Sequence, residues 1–381
     1  MIRKILYHPF FIKLFNWEFW PFHIVYGPVY LYWCWLAVKA RSFFFINTAN
    51  PSIINGGFLM ESKNEIYNLI PPVYYPPTLF FRKGTSIEKI LTAVNERHLQ
   101  FPLIGKPDIG MQGKAVKKLT GRTMLMEYAI NSKVDFLVQG FVAYEKEAGI
   151  FYYRYPGEPR GHISGIVEKE FLSITGDGVS SMETLLQKEK RYILQLPVLR
   201  NTYGDELKNV LKYGEEYLLV PYGNHVRGAK FIDASHLIDE DLTRTIDNVC
   251  RQVKGFYFGR LDIRYNSWEE LKKGEKFSII ELNGAGSEPT HIYDPKHSIF
   301  FAWKEIIRHL NILVRISRIN HRLLNMPYMN TSEGLAMLKA NKQYVKLINE
   351  DQPLSSAPDQ RQIEISNELH RKGSATIIKS L

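Results

Sequence analysis

Three side chains with oxygen donors have the types and spacing of a magnesium site. Asp262 lies on one alternating run of residues, and Glu281 and Asn283 lie two apart at the end of a second, apolar run that begins at 277. In a strand, residues i and i+2 face the same side, so Glu281 and Asn283 project together and a neighbouring strand can bring Asp262 beside them. Hard oxygen donors suit Mg²⁺, which usually shares its shell with phosphates and water. A solvated strand end is the plainer interpretation, but carboxylates embedded among Ile and Leu side chains need a cation.

Lysine and glycine residues earlier in the chain have the composition of a phosphate-binding loop. Lys106 ends a short predicted strand, 101–106, and Gly110, Gly113 and Lys114 follow it. Glycines allow backbone N–H groups to approach a phosphate closely, and lysine supplies a point charge. The spacing matches neither the Walker P-loop nor the dinucleotide fingerprint, and taken alone it is typical of a surface turn. Its occurrence together with the carboxylates favours a nucleotide site.

Strands and helices mix without a βαβα rhythm, which predicts an α+β fold. Apolar or β-branched runs predict strands at 101–106, 136–142, 150–155, 163–175, 217–222 and 277–282. Capping residues and apolar spacing predict helices from Thr85 (with Glu88 completing a capping box), from Ser180 to about Gln195, through 242–253, and from Ser298 to about Asn325. The proline-rich stretch 71–77 is predicted to be an extended connector.

The bulk composition is that of a globular protein of two or three domains with anionic partners. The chain has 381 residues, 45% of them hydrophobic, and a net charge of +10, which favours nucleotides, nucleic acids or an acidic membrane surface. Scattered basic residues without an RRM, KH or helix-turn-helix pattern argue against nucleic acid. The two cysteines form no zinc or disulfide pattern, so a reducing, cytoplasmic setting fits best.

Residues 1–60 are unusually aromatic and hold four of the six tryptophans. The run from Phe19 to Val38 has no Asp, Glu, Lys or Arg and is long enough to cross a bilayer as a helix. Gly27-Pro28 and several polar aromatic groups argue against a simple span, and the lack of a small-residue cleavage site argues against a signal peptide. Three interpretations remain open: an interfacial anchor flanked by Lys39 and Arg41, a layer packed on the main domain, and a true span.

The predicted helix at 298–325 is amphipathic and basic. A helix packed on the domain with a solvated face is one interpretation, and contact with a membrane surface is the other. Beyond Asp351 the sequence is polar and predicts a mobile tail. The basic side chains of the helix include Arg308, Arg315, Arg318 and Arg322.

The order and spacing of five motifs resemble the ATP-grasp superfamily, most closely its D-alanine–D-alanine ligase and cyanophycin-synthetase-like members. The resemblance runs from about Lys63 to Asn311. The motifs are FPLIGKPDIGMQGKAV, FLVQGFVAYEKEAG, ITGDGVSSMETLL, RLDIRY and IIELNGAG. It implies an ATP-grasp fold in which two α+β subdomains grip a nucleotide, a small one at 61–140 and a large one at 141–325 with the metal site.

The N-terminal part of the chain departs from that family pattern. A short aromatic segment, 1–60, stands where family members usually carry a Rossmann-like domain, which often helps to bind the first substrate. Residues 326–381 are expected to form a C-terminal helix and a polar tail. The nature of the substrate is therefore less constrained than the nature of the nucleotide site.

The resemblance implies roles for matching residues in nucleotide binding. Lys63 and Lys106 would contact the ATP phosphates beneath a loop containing Gly110 and Gly113. The adenine pocket would be lined, mostly by backbone, by Gln139, Gly140, Phe141 and Val142, and the ribose would be held by Glu147 or Glu145.

The resemblance also implies the roles of the metal and phosphoryl groups. Asp262, Glu281 and Asn283 would hold one or two Mg²⁺, with Mn²⁺ as an alternative. Arg260 would stabilise the transferred phosphoryl group. Arg227 could bind an acyl phosphate or a substrate carboxylate, with a plain loop charge as the alternative, whereas His225 and His291 have weaker claims because a lone histidine is usually structural.

The implied activity is that of an ATP- and Mg²⁺-dependent ligase, which activates a carboxylate as an acyl phosphate and joins it to an amine. Two alternatives stay open: an ATP-grasp phosphotransferase, and a non-catalytic, membrane-associated nucleotide binder. The expected partners are small-molecule carboxylates and amines and no nucleic acid. The expected location is cytoplasmic, with peripheral association at the inner membrane face as an alternative, and the oligomeric state is left open.

Overall fold

The computed structural model describes residues 7–110, 113–220, 223 and 225–350. The chain forms two compact units. Among the described residues, unit 1 comprises 7–20 and 169–231, and unit 2 comprises 21–168 and 232–350.

The α-helices of the described residues are α1 (Pro9–Phe15), α2 (Phe22–Ala40), α3 (Lys63–Leu69), α4 (Ile87–Glu96), α5 (Arg122–Asn131), α6 (Met182–Lys188), α7 (Lys190–Ile193), α8 (Leu196–Tyr203), α9 (Glu240–Gln252), α10 (Trp268–Lys272), α11 (Ile299–Leu323) and α12 (Thr331–Glu350). The strands are β1 (Thr78–Phe81), β2 (Leu103–Pro107), β3 (Lys117–Leu119), β4 (Phe136–Gly140), β5 (Lys146–Tyr153), β6 (His162–Glu170), β7 (Leu172–Thr175), β8 (Glu216–Val220), β9 (Lys230–Asp233), β10 (Phe258–Tyr265) and β11 (Phe277–Asn283).

The strands form three sheets. A four-stranded sheet has the order β1-β4-β2-β3, a five-stranded sheet has the order β11-β10-β5-β6-β9, and β7 pairs with β8. The pairs β1–β4, β2–β4, β5–β10 and β10–β11 are all antiparallel. Helices mixed with antiparallel sheets confirm the α+β prediction.

Helix starts follow local capping chemistry, because a serine or aspartate side chain accepts one of the first free backbone N–H groups. Two predicted caps are wrong by one residue. Ser86 caps α4 in place of Thr85, and Ser181 caps α6 in place of Ser180. The hydroxyl of Ser180 instead donates to Asp177. The long basic helix begins as predicted, with Ser298 as the cap of α11.

Other boundaries also differ from prediction. The predicted strand 163–175 is two strands, β6 and β7, separated at Phe171. The proline-rich connector is not extended throughout, because Pro72–Tyr74 forms a 3-10 turn. The strand predicted at 136–142 ends at Gly140, whose N–H donates to the carbonyl of Pro77.

The sequence that precedes β1 in unit 2 is packed into the core. Asn50 is fully buried: its side-chain nitrogen donates to the carbonyls of Gly56 and Phe258 at 2.8 Å, and its oxygen accepts from the N–H groups of Tyr257 and Phe258. Leaving one such buried group unpaired would cost roughly 1–3 kcal/mol. This asparagine therefore ties the N-terminal part of unit 2 to the start of β10.

Helix α2 packs one of its sides on α11. Trp303 donates from its indole N–H to the carbonyl of Val25 at 2.8 Å, and Tyr32 donates to Asn311 at 2.8 Å. Among the residues that the structure describes, no helix is both long and apolar enough to cross a membrane. Of the three interpretations of the aromatic segment, packing on the main body is thus seen for α2.

Unit 1 has its own core, which includes Met182, Leu199, Tyr203 and Leu219. The carboxylate of Glu18 lies in an ion pair with Arg191 and 3.1 Å from His225.

The predicted subdomain boundaries and the two compact units divide the chain differently. The predicted small subdomain, 61–140, lies wholly in unit 2, and the predicted large subdomain, 141–325, is shared between both units. The predicted C-terminal segment contains α12, whereas its polar tail lies outside the described residues.

Candidate functional site

The predicted metal ligands lie on one face of the five-stranded sheet in unit 2. Asp262 on β10 is directly opposite Glu281 on β11, and Arg260 is directly opposite Asn283. Residues directly opposite each other in an antiparallel pair point to the same side. The strand alternation thus brings the four side chains together, although their roles remain a prediction.

Asp262 is deeply buried and held by its neighbours. Its two carboxylate oxygens accept from Arg260, from Nε at 3.0 Å and from Nη2 at 2.9 Å, and Asn283 donates to it at 3.2 Å. Gly149 on β5 lies opposite Asp262. A Cβ atom there would stand 3.0 Å from the Asp262 carboxylate and 3.1 Å from the Arg260 side chain, so the glycine leaves the room that this pair occupies.

Lys63 joins the carboxylates from the first turn of α3. Its Nζ lies 3.4 Å from Glu281 and donates to the carbonyl of Gly110 at 3.1 Å. Ser62, which caps α3, donates to Asp108 at 3.0 Å, and this contact fixes the loop that follows β2 to the start of α3. Lys63 therefore links the predicted phosphate loop to the predicted metal site. Met111 and Gln112 of that loop lie outside the described residues.

Lys106 reaches from the four-stranded sheet to the five-stranded sheet. Its Nζ donates to the hydroxyl of Tyr67 at 2.7 Å, to the side-chain oxygen of Gln139 at 2.8 Å and to the carbonyl of Ile280 at 3.1 Å. The register of β10 and β11 shifts beside Asp262, and Ile280 is the residue skipped in the pairing. Such a β-bulge disrupts the ladder locally and re-aims the groups beside it.

Burial lowers the pKa of Lys106 to about 7, an effect that the charge of Glu281 opposes and that of Lys63 reinforces. Removal from water penalises the charged form of a lysine. The Lys106 ammonium group is therefore close to its midpoint at neutral pH, which is unusual for a lysine.

If Lys106 contacts the ATP phosphates, as the resemblance implies, its pKa predicts how ATP affinity depends on pH. Because only the charged form of Lys106 attracts phosphate, we expect the dissociation constant for ATP to rise as the pH increases through about 7, by up to about tenfold per pH unit. Calorimetric titration between about pH 6 and about pH 9 measures this slope. In Lys106→Arg the guanidinium stays charged, so the slope above pH 7 should flatten. Equal slopes in both proteins would contradict the assignment.

The predicted adenine and ribose residues cluster at the end of β4 and the start of β5. Gln139 is buried and uses its side chain toward Lys106 and Thr78, at 2.8 and 2.7 Å. Glu147 is also buried and accepts from Arg264 at 3.1 Å, whereas Glu145 is exposed. Burial thus distinguishes the two ribose candidates without testing either role.

Past the end of β4, the aromatic ring of Phe141 lies under a cation, with Lys118 Nζ 4.4 Å from its centroid. Val142 follows it outside any strand. Gly113 adopts a left-handed conformation with φ of 67°, which glycine accommodates without strain. The predicted roles of these three residues in nucleotide binding remain predictions.

Three residues at the site were missed by the sequence reasoning. Glu288, in the turn after β11, accepts hydrogen bonds from the hydroxyls of Tyr26 and Tyr293, the latter at 3.2 Å, and its carbonyl accepts from Arg260 at 3.1 Å. Burial, followed by the charge of Glu288, raises the pKa of both tyrosines. The position of Glu288 shortly after the carboxylate motif is a sequence signal that could have identified it. No nearby residue pattern indicates that Tyr26, which is far away in the sequence, belongs to the same group.

Two glycine-rich turns lie against each other beside this group. The N–H groups of Ala285 and Gly286 donate to the carbonyls of Gly56 and Gly57 at 3.0 and 2.8 Å. A Cβ atom on Gly57 would be 2.6 Å from the backbone of Gly284, so neither backbone has room for a side chain there. The N-terminal part of unit 2 thereby forms one wall beside the turn that carries Glu288.

The two histidines and Arg227 take separate places. His291 is buried, lies 3.4 Å from Glu305, and rests on Gly165, where a Cβ atom would be 2.3 Å from the ring. His225 and Arg227 belong to a short 3-10 turn in unit 1, whereas the other predicted site residues belong to unit 2. The role of Arg227 thus remains a prediction.

The donor atoms fit a hard divalent cation by type. Two carboxylates and one amide, Asp262, Glu281 and Asn283, share one sheet face, and such oxygen ligands suit Mg²⁺. In the part of the chain that the structure describes, no three His, Cys, Asp or Glu side chains form a group suited to a metal ion. A bound ion would therefore take two carboxylates and one amide from the chain.

No protein-family model and no curated protein matches the sequence. Three similar solved structures are a bifunctional glutathione synthetase from Pasteurella multocida (13% identity, TM-score 0.38, 67% of this chain and 38% of that one), VanG D-Ala:D-Ser ligase from Enterococcus faecalis (14%, 0.38, 67% and 61%) and D-alanine–D-alanine ligase from Bacillus anthracis (13%, 0.39, 68% and 68%).

By name these three proteins are a synthetase and two ligases. The chain spans 38% of the glutathione synthetase and 61% of the D-Ala:D-Ser ligase.

Proposed function

We propose that this chain is an ATP-dependent ligase of the ATP-grasp type, which activates a carboxylate and joins it to an amine. The observation that carries the proposal is the contact of Lys106 with the strand that bears Glu281. Lys106 belongs to the four-stranded sheet, yet its ammonium group lies 3.1 Å from the carbonyl of Ile280 in the five-stranded sheet. Cations suited to phosphate thereby meet carboxylates suited to Mg²⁺.

The side chains at this site have different roles in the proposed reaction. Lys63 and Lys106 supply positive charge for the phosphates of a nucleotide, and Arg260 offers a planar guanidinium for the transferred phosphoryl group. Asp262, Glu281 and Asn283 would hold Mg²⁺, which offsets the negative charge of the terminal phosphates when bound. Positioning and charge stabilisation are the main needs of phosphoryl transfer.

The proposed reaction has two steps. A substrate carboxylate oxygen attacks the γ-phosphorus of ATP, the bond to the ADP oxygen breaks, and an acyl phosphate and ADP result. A substrate amine then attacks the acyl carbon, phosphate leaves, and the amine loses a proton to give an amide. The protein needs no nucleophile of its own in these two reaction steps. Exclusion of water matters, because water would hydrolyse the acyl phosphate.

The test measures ADP release by the full chain with ATP, Mg²⁺ and a panel of amino acids and other carboxylates, each with and without amines. We expect turnover that requires both a carboxylate and an amine, with mass analysis of the products showing an amide. Glu281→Gln should abolish this turnover.

Two outcomes would overturn the ligase proposal. A phosphate ester as the only product would indicate a phosphotransferase that uses the same groups. ATP binding without turnover across the whole panel would instead favour a non-catalytic nucleotide binder.

A further inference from the structure

Helix α2 has a buried side and an apolar exposed side. Val25, Val29 and Leu36 on one side are buried. The core cluster on that side includes Leu36 together with Leu313 and Ile316 of α11. The opposite side carries no comparable cover among the residues that the structure describes.

The exposed side forms one continuous row. Ile24, Leu31, Trp35 and Val38 are 49%, 77%, 48% and 76% exposed, and the exposed Pro28 completes the row between the first two. Their spacing alternates between four and three residues, which places them one above the other on a helix. Single exposed apolar residues are ordinary, but a contiguous row marks an interaction surface.

The charge around this row has one sign. No Asp or Glu occurs between Glu18 and Glu61, and the only Lys or Arg residues in that interval are Lys39 and Arg41, at the C-terminal end of α2. Lys39 Nζ lies 4.2 Å from the centre of the Trp35 ring. A binding partner for this surface therefore has to combine an apolar interior with a negatively charged surface.

Helix α11 adds cations at the same end. The contacts Val25 with Trp303 and Tyr32 with Asn311 advance together along both helices, so α2 and α11 run parallel. The C-terminal half of α11 carries Arg318 and Arg322, whereas Arg315 in the same half lies 4.0 Å from the Glu158 carboxylate. The paired helices thus have a cationic end and an apolar row that leads away from it.

We propose that the exposed side of α2 docks on the surface of an anionic lipid bilayer. The helix would lie in the plane of the interface, with its apolar row at the boundary of the acyl chains and its cations near lipid phosphates. Tryptophan favours this depth, because its ring is apolar and its N–H is polar. A second copy of the chain fits less well, because the surface has no acid to pair with Lys39 and Arg41 of a symmetric partner.

Vesicle flotation of the full chain tests the proposal. We expect binding to vesicles that contain phosphatidylglycerol and phosphatidylcholine, with weaker binding to phosphatidylcholine alone and at high salt. Leu31→Glu combined with Val38→Glu should lower the bound fraction by at least about tenfold. Lys39→Gln with Arg41→Gln should weaken the salt dependence. Ile130→Glu, at an exposed apolar position on α5, is the matched control and should bind like the wild type.

Two results would overturn the proposal. One is the absence of binding to either kind of vesicle by the folded full-length chain. The other is a dimer in solution that the double substitution at Leu31 and Val38 dissociates, without any lipid binding by the wild type. That second result would mean that another copy of the chain covers the row.

Discussion

Asp262→Asn is expected to reduce Mg²⁺-dependent ATP turnover by at least about a hundredfold. The substitution keeps the shape of the side chain but removes the charge that would hold the cation. In the structure both carboxylate oxygens also accept from Arg260, and the Asp262 side chain is only 5% exposed. Breaking a buried ion pair leaves the partner charge uncompensated and costs roughly 3–5 kcal/mol of stability. Turnover and thermal unfolding should therefore be measured on the same preparation.

Glu281→Gln separates catalysis from folding. The Glu281 side chain is 34% exposed and lies 3.4 Å from Lys63, so its loss should change stability much less than the loss of Asp262. We expect the same failure of turnover with a nearly unchanged melting temperature. Asp241→Asn, on the exposed surface of α9, is the control and should retain wild-type turnover. Undiminished turnover in both Asp262→Asn and Glu281→Gln would refute the metal site.

The strand periodicity predicts the shared face of Glu281 and Asn283, but not which strand pairs beside them. Glu281 and Asn283 share a face because side chains alternate along a strand, and the pairing of β10 with β11 places Asp262 opposite Glu281. The α+β class follows in the same way from mixed helix and strand signals. These properties depend on residues close together in sequence, which is why the pattern alone indicates them.

The surroundings of Lys106 could not be predicted in this way. Its acceptors are the hydroxyl of Tyr67, the amide of Gln139 and the carbonyl of Ile280, which come from three separate elements. Strand β11 contains no glycine or proline that would predict the register shift at Ile280. Contacts of this kind depend on how the sheets pack, and local propensity contains no information about packing.

The aromatic segment shows a second limit of prediction from the sequence. Both sides of α2 are apolar, so the usual difference between a buried and a solvated side is missing and the sequence does not tell which side packs. Tyr26 illustrates the consequence, since its hydrogen bond to Glu288 joins residues 262 positions apart in the sequence. Only the packing of α2 on α11 distinguishes the buried side from the exposed one.

Lys106→Met is expected to weaken ATP binding by roughly ten- to a hundredfold without a comparably large change in stability. The loss of a charged hydrogen-bond donor to phosphate accounts for the weaker binding. Two effects on stability oppose each other: methionine removes a charge that burial penalises, since burial lowers the pKa of Lys106 to about 7, but it also leaves the acceptors on Tyr67, Gln139 and Ile280 without this donor. Calorimetric titration with ATP and thermal unfolding measure binding and stability.

A loss of ATP affinity without a comparable loss of stability is what identifies a functional lysine. Replacing a lysine retained for structure should lower the stability of the protein, whereas replacing one retained for its ligand should mainly weaken binding. Lys89→Met, at an exposed position on α4, is the matched control and should change neither quantity. If Lys106→Met lowers the melting temperature and leaves ATP affinity intact, then Lys106 serves only to hold Tyr67, Gln139 and Ile280 together, and the nucleotide site must lie elsewhere.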